Sequence, residues 1–325
     1  MDSTDELYQT VVDCGIKFIP IEEFSGKKTI GTGGFGVIYS ATWTNTSEMV
    51  ALKRLSIGIK NSIENFLKEL KLHSSTRHDR IVKFLGVSRD EDNTSYYYIV
   101  MELATEGNLR NYLSENKIVL EWEEKVRLAT QIAEGILYLH DELNIIHRDL
   151  HTKNILVCKG NIKISDFGLS KRLGSTTTIN GKRVGVLAFM DPQKFININY
   201  KLDRKSDVYS MGVIFWEISS CRDPFDEISD HILLPCYIVS NDLREEPISG
   251  TPQEYVELYS DCWKKDPILR PESNMVLNRL RRIKLTPTFV RSKRSTSDPN
   301  WSETEIIVLG SSNRSITDPA RWLFS

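Results

Sequence analysis

The stretch His147-Arg148-Asp149-Leu150-His151-Thr152-Lys153-Asn154 carries an aspartate and an asparagine five positions apart. A second aspartate follows in Asp166-Phe167-Gly168, after two short apolar runs, Ile155-Leu156-Val157 and Ile162-Lys163-Ile164. Those runs read as the strands of a tight hairpin with a loop on either side. Short connections therefore bring three oxygen-bearing side chains to one place. Such a set suits a hard cation such as Mg²⁺, which takes one or two protein carboxylates and completes its shell with phosphates and water.

Two features upstream supply the complementary charge. Ile30-Gly31-Thr32-Gly33-Gly34-Phe35-Gly36-Val37-Ile38-Tyr39 is a glycine-rich turn between two strand-like runs. Glycine permits tight turning and lets backbone amides approach phosphate oxygens. A dinucleotide-binding fold requires a helix straight after such a turn and an acidic residue about 20 positions on. Here a strand rich in β-branched and aromatic residues follows, Val37 to Trp43, which favours a hairpin lid over a nucleotide. The next strand, Val50-Ala51-Leu52-Lys53, ends in lysine. A lysine there needs anions around it, because an unpaired buried ammonium is costly. Phosphate oxygens and a carboxylate would serve. Glu64 and Glu69 are the carboxylates on offer, in a segment where Ile63, Phe66, Leu67 and Leu70 recur at helical spacing.

These residues need two kinds of scaffold. Up to Tyr96-Tyr97-Tyr98-Ile99-Val100 the chain reads as strands with one helix; beyond Leu109 it reads as helices. Val126, Ala129, Ile132, Ala133, Ile136 and Leu137 mark the clearest helical stripe, between Trp122 and His140. The fold class is α+β, in two lobes. Residues 1–21 read as a short extension, with lobes at about 22–102 and 105–283. Residues 284–325, rich in Ser, Thr, Asn and Pro, read as a disordered tail. A net charge of −2 gives no basis for polyanion or nucleic-acid binding. The five cysteines include no C-x-x-C pair and read as reduced packing residues. No apolar run approaches the length of a membrane span, and the acidic first residues do not resemble a signal peptide. The expected place is the cytoplasm.

The order of these motifs resembles that of eukaryotic protein kinases, H-R-D-x-x-x-x-N followed by D-F-G, over residues 22–283. Lys205-Ser206-Asp207-Val208-Tyr209-Ser210-Met211-Gly212-Val213 and Trp216-Glu217-Ile218 resemble the tyrosine-kinase-like branch. The block around Asp149, with Met190-Asp191-Pro192 in place of Ala-Pro-Glu, looks most like kinases expanded in arbuscular mycorrhizal fungi. The resemblance implies a small antiparallel sheet with one main helix, joined to a larger helical lobe. It implies transfer of the γ-phosphoryl of ATP to protein substrates, with Mg²⁺, or Mn²⁺ in its place. Asp149, Lys53, Glu69 and Lys153 become the catalytic set, Glu69 chosen over Glu64 by the family's spacing. Asn154 and Asp166 become the metal ligands. Ile30, Gly31, Gly33, Gly34, Gly36, Val37, Ala51, Lys53, Met101, Glu102, Ala104 and Leu156 become the nucleotide site. Asp207 is expected to hold the backbone of the catalytic loop, or merely to cap its own helix.

Several positions depart from the family. His73 stands where an apolar residue is usual, and His151 where Ser/Thr kinases usually carry lysine. Val186, Phe189 and Gln193 replace the usual Thr, Tyr and Glu. Gln193 can offer Arg270 only a neutral hydrogen bond, with Asp191 as the alternative partner. The activation stretch after Asp166 has Ser175-Thr176-Thr177-Thr178 and no tyrosine, which favours Ser/Thr acceptors. A dual-specificity or tyrosine kinase and a nucleotide-binding pseudokinase are the alternatives. A kinase of small molecules is disfavoured by the activation segment. In the tail, Arg294-Ser295-Thr296-Ser297-Asp298-Pro299 recurs as Arg314-Ser315-Ile316-Thr317-Asp318-Pro319. Both copies resemble the phosphopeptide ligands of 14-3-3 proteins, with Ser297 and Thr317 as the phosphorylated residues.

Overall fold

Side chains along a strand alternate between faces, so strand register decides what the first sheet presents to a ligand. The structure, a computed structural model, describes residues 9, 11–13, 15–33, 36–56, 70, 74, 76–90, 96–166 and 184–285. Strands β1 (Phe24–Gly33), β2 (Gly36–Trp43), β3 (Glu48–Ser56), β4 (Phe84–Arg89) and β5 (Tyr96–Glu102) form an antiparallel sheet in the order β1-β2-β3-β5-β4. One face carries Ala41, Trp43, Val50, Leu52, Tyr98 and Val100, packed with Ile19. The opposite face carries two rows of cross-strand neighbours, Ile38–Lys53–Ile99 and Ser40–Ala51–Met101.

This register corrects one expectation. Val37 pairs with Arg54 on the face away from Lys53, and Ile38 takes the place beside Lys53 and Ala51. An offset of one residue exchanges faces, and both residues are β-branched, so composition could not separate them. Gly36 fixes the register: a Cβ there would lie 2.2 Å from the Arg54 carbonyl oxygen.

The segment before Ile21 is also more than an extension. Val11, Ile16 and Ile19 are buried. Phe18 bridges Val87 in parallel, and the Ile19 amide donates to the Val87 carbonyl at 2.8 Å. The segment thus covers the open edge of β4.

The second lobe holds α1 (Leu109–Asn116), α2 (Trp122–Leu137), the short α3 (Gln193–Ile196), α4 (Arg204–Ser220), α5 (Leu234–Ser240), α6 (Gln253–Cys262) and α7 (Ser273–Leu280). Helix α2 buries Leu128, Ala129, Ile132, Ala133 and Ile136 along one stripe. Helix α4 is buried on all sides, as a central core helix must be. Between α2 and α3 lies the hairpin of β6 (Ile155–Cys158) and β7 (Asn161–Ile164). Its two turn residues, Lys159 and Gly160, both have positive φ, which matches the twist of a two-residue hairpin.

Residues 1–283 form one unit and 284–325 another. The described cysteines 158, 221, 236 and 262 are free thiols. Among the described residues no helix is long and apolar enough to cross a membrane.

Candidate active site

The β6–β7 hairpin places the two loops that carry the candidate residues Asp149 and Asp166. Asp149 lies in the loop before β6, and Asp166 just after β7. The backbone of the first loop is held from below. Asp207 accepts from the His147 amide through Oδ2 and from the Arg148 amide through Oδ1, both at 2.7 Å. His140 Nε2 meets Asp207 Oδ2 at 2.8 Å, and His140 Nδ1 meets Ser273 Oγ. Helix capping falls to Asp203, whose carboxylate accepts from the Lys205 and Ser206 amides. Asp207 therefore does the first of its two expected jobs. Arg148 and Asp166 both have positive φ, at 68° and 58°. Residues outside glycine reach that region only where surrounding bonds over-determine the backbone.

Within the loop Asn154 folds back over Asp149. Its Nδ2 donates to the Asp149 carbonyl at 2.9 Å and to Oδ2 at 3.3 Å. The Asn154 carbonyl accepts from Ser165 through both its amide, at 2.9 Å, and its hydroxyl, at 2.8 Å. This ties the Asp149 loop to the Asp166 loop. From the other lobe Lys53, 3 % exposed, forms an ion pair with Asp166 Oδ1. So Lys53, Asp149, Asn154 and Asp166 are brought together. Lys153 is exposed on the turn Thr152–Asn154. Glu69, Gly34, His73 and the stretch 167–183 lie outside the described residues.

On the nucleotide side, Ala51 is buried and shares a face with Lys53, with Met101 directly opposite it. Leu156 bridges Asn108 at the start of α1, so β6 abuts the connection between lobes. The Glu102 amide is committed to the Lys83 carbonyl at 3.0 Å, and its carboxylate pairs with Lys163. Ala104 is half-buried next to it. Ile30 sits 54 % exposed at a bulge in β1, and Gly31 pairs with Ile38. A Cβ on Gly31 would meet nothing closer than 3.9 Å.

His151 shows what the lost lysine means. It is 8 % exposed, with Nε2 3.9 Å from Asp149 Oδ1 and the ring 6.2 Å from that of Phe189. Its Nδ1 has no hydrogen-bond partner. Burial, outweighing the pull of Asp149, pushes its pKa down to about 4. The site therefore has a neutral ring beside Asp149 at neutral pH.

Sequence reasoning missed one supporting cluster. Glu217 of α4 is 2 % exposed and accepts from Thr152 Oγ1 at 3.0 Å and from Arg110 Nε at 3.0 Å. Burial pushes its carboxyl up to about 7, against the pull of Arg110. Arg110 reaches Asp223 and lies over the Phe189 ring at 5.8 Å. These residues lie far apart in sequence, and only the Trp216-Glu217 pair hinted at the cluster. The departure at Gln193 also resolves. Arg270 is bidentate on Asp191, at 2.7 and 2.9 Å, while Gln193 donates to the Lys265 carbonyl.

Comparison with known proteins agrees with this geometry. Over 269 residues, 82 % of this chain, it is 33 % identical to a probable serine/threonine-protein kinase of Dictyostelium discoideum. It is 31 % identical over 256 residues to mitogen-activated protein kinase kinase kinase A of the same organism. A third relative, mitogen-activated protein kinase kinase kinase 10 of Homo sapiens, is 31 % identical over 289 residues. The matched regions cover 76–83 % of this chain and 26–29 % of these three relatives. Residues 24–280 match the family described as protein tyrosine and serine/threonine kinase, and the chain belongs to that family.

Proposed function

We propose that this chain transfers the γ-phosphoryl group of ATP to serine and threonine hydroxyls of protein substrates, as a member of the tyrosine-kinase-like branch. The observation that carries the reading is the convergence of Lys53 on Asp166 and of Asn154 on Asp149. In the reaction the acceptor oxygen bonds to the γ-phosphorus, the bond to the β–γ bridging oxygen breaks, and ADP leaves. Asp149 orients the acceptor hydroxyl and takes its proton. Lys53, sharing its charge with Glu69, binds the α- and β-phosphates. The donor set fits Mg²⁺, with Mn²⁺ as the alternative. Asn154 spends Nδ2 on Asp149, which leaves its amide oxygen for a cation, and Asp166 adds a carboxylate. Such a cation neutralises phosphate charge when bound. Positioning and charge neutralisation are most of what phosphoryl transfer needs. Free thiols at the described cysteines support a reducing compartment such as the cytoplasm.

The Ser/Thr assignment leans on the hydroxyls of Ser175-Thr176-Thr177-Thr178 and on the names of the relatives. Phosphoamino-acid analysis of the autophosphorylated chain is expected to give phosphoserine and phosphothreonine. Predominant phosphotyrosine would reverse the assignment. The tail repeat, outside the described residues, supports a dimeric phosphopeptide reader of the 14-3-3 kind at Ser297 and Thr317. Twenty residues of flexible chain span roughly 25 Å r.m.s. and up to about 66 Å extended, enough for two sites of one dimer. A doubly phosphorylated 290–325 peptide should bind such a dimer far more tightly than its Ser297→Ala form. Equal binding of the two peptides contradicts the tandem arrangement.

A further inference from the structure

The tip of the β6–β7 hairpin is held from two sides, and only one of the two holds reaches the connection between the lobes. Lys159 and Gly160 have φ of 51° and 70°. Successive amides in such a turn form a concavity that suits an anion. Glu106, in the connection, supplies it. Its Oε2 accepts from the Lys159 amide at 2.8 Å, and its Oε1 from the Gly160 amide at 3.3 Å. Thr105 Oγ1 orients the carboxylate: it donates to Oε2 and accepts from the Lys159 amide at 3.2 Å. Amide bonds to a carboxylate are charge-assisted and stronger than neutral ones. The same segment also runs beside β6. The Glu106 amide donates to the Val157 carbonyl at 3.2 Å, and the Val157 amide to the Gly107 carbonyl at 2.8 Å. Ile155 and Val157 are buried in the lobe core, so Leu156 lies on the other face of β6, where it bridges Asn108.

The second hold comes from α2. Arg127 Nη2 donates to the Gly160 carbonyl at 2.5 Å. Gln131 donates to Asn161 Oδ1 at 3.0 Å and accepts from the Ile162 amide at 2.8 Å. None of these bonds involves Glu106. The hairpin, with the Asp149 and Asp166 loops at its base, is therefore fixed to α2 on its own account. What Glu106 alone adds is the tie from the tip to the connection, with Ala104 two residues before it and Leu156 beside it. We propose that Glu106 is a positioning residue for nucleotide binding: its carboxylate pins the connection to the hairpin tip, and so sets how Ala104 and Leu156 meet the nucleotide. This rests on the kinase reading, in which both residues line the nucleotide site.

The test uses the full chain with Glu106→Ala and Glu106→Gln beside the wild type. Each is measured for thermal midpoint, for the Kd of Mg²⁺-ATP by calorimetry, and for kcat and KM. The residue is half-buried at the edge of the connection, so both variants are expected to fold. Glu106→Ala is expected to raise Kd and KM for ATP together by about tenfold, with kcat within about twofold of the wild type. Glu106→Gln keeps the size and one acceptor oxygen, and should recover part of the loss. A purely structural role would lower the thermal midpoint and leave Kd and KM within about twofold of the wild type, which overturns the proposal. A loss confined to kcat overturns it as well, since the hairpin would then depend on Glu106 for its own position. A wild-type chain that binds Mg²⁺-ATP without transferring phosphate sinks the transfer reading alone, and the calorimetric comparison still decides the role of Glu106. A wild-type chain that binds no Mg²⁺-ATP overturns both.

Discussion

Replacing Asp191 by alanine is expected to cost about 3–5 kcal/mol of stability, because it leaves a buried guanidinium without its counter-charge. Arg270 is fully enclosed; its other hydrogen-bond partners are three backbone carbonyls, of Lys264, Lys205 and Lys265, and its guanidinium lies over the Tyr209 ring at 5.1 Å. These are neutral, so none can stand in for the carboxylate. Asp191 also accepts from Ser206 Oγ at 2.9 Å and from the Gln193 amide at 3.0 Å, so two further donors lose their acceptor. Against a typical total of about 5–15 kcal/mol, this is enough to threaten folding at ordinary temperatures. Gln193→Ala removes one hydrogen bond to the Lys265 carbonyl and should cost only about 1 kcal/mol. Urea unfolding of the two variants beside the wild type checks the contrast. If Asp191→Ala unfolds within about 1 kcal/mol of the wild type, the buried pair is not what anchors the end of the activation segment.

That contrast marks where sequence reading works and where it stops. Asp149, Asn154 and Asp166 were legible because their chemistry is local. A four-residue hairpin strand on each side leaves few ways to arrange them, and the positive-φ turn at Lys159-Gly160 closes it. The two-lobed division was legible because period two gives way to helical spacing near Leu109. The choice between Val37 and Ile38 was not, since both residues suit a strand and only pairing with β3 assigns the faces. Counting two positions on from Gly36, as the family pattern G-x-G-x-x-G-x-V requires, was the signal that could have found Ile38. The partner of Arg270 stayed open for a related reason. Asp191 and Gln193 stand two positions apart, and tertiary packing decides which of them reaches the guanidinium. Arg110 and Glu217 meet across more than a hundred residues, and no local pattern encodes such a pair. Apolar Val11, Ile16 and Ile19 are too sparse to announce a docked segment, and the room for Lys17 and Ile19 is made by an absence, at Gly86.

The second large effect concerns Asp149. Its carboxylate is steadied by Asn154 Nδ2 and faces the neutral His151 ring, in a loop whose amides are held by Asp207. Among the described residues the other carboxylate brought to the site, that of Asp166, is engaged with Lys53. Asparagine at 149 preserves size and the loop, so the substitution isolates the proton-accepting role. Loss of a positioned general base lowers turnover by about 10²–10⁴-fold. The direct measurement is incorporation of ³²P from γ-labelled ATP into protein by the purified full chain with Mg²⁺, run beside Asp149→Asn under identical conditions. The account predicts incorporation by the wild type and a loss of at least about a hundredfold in the variant. A wild-type chain that incorporates no phosphate, or an Asp149→Asn chain that incorporates it at the wild-type rate, would contradict it.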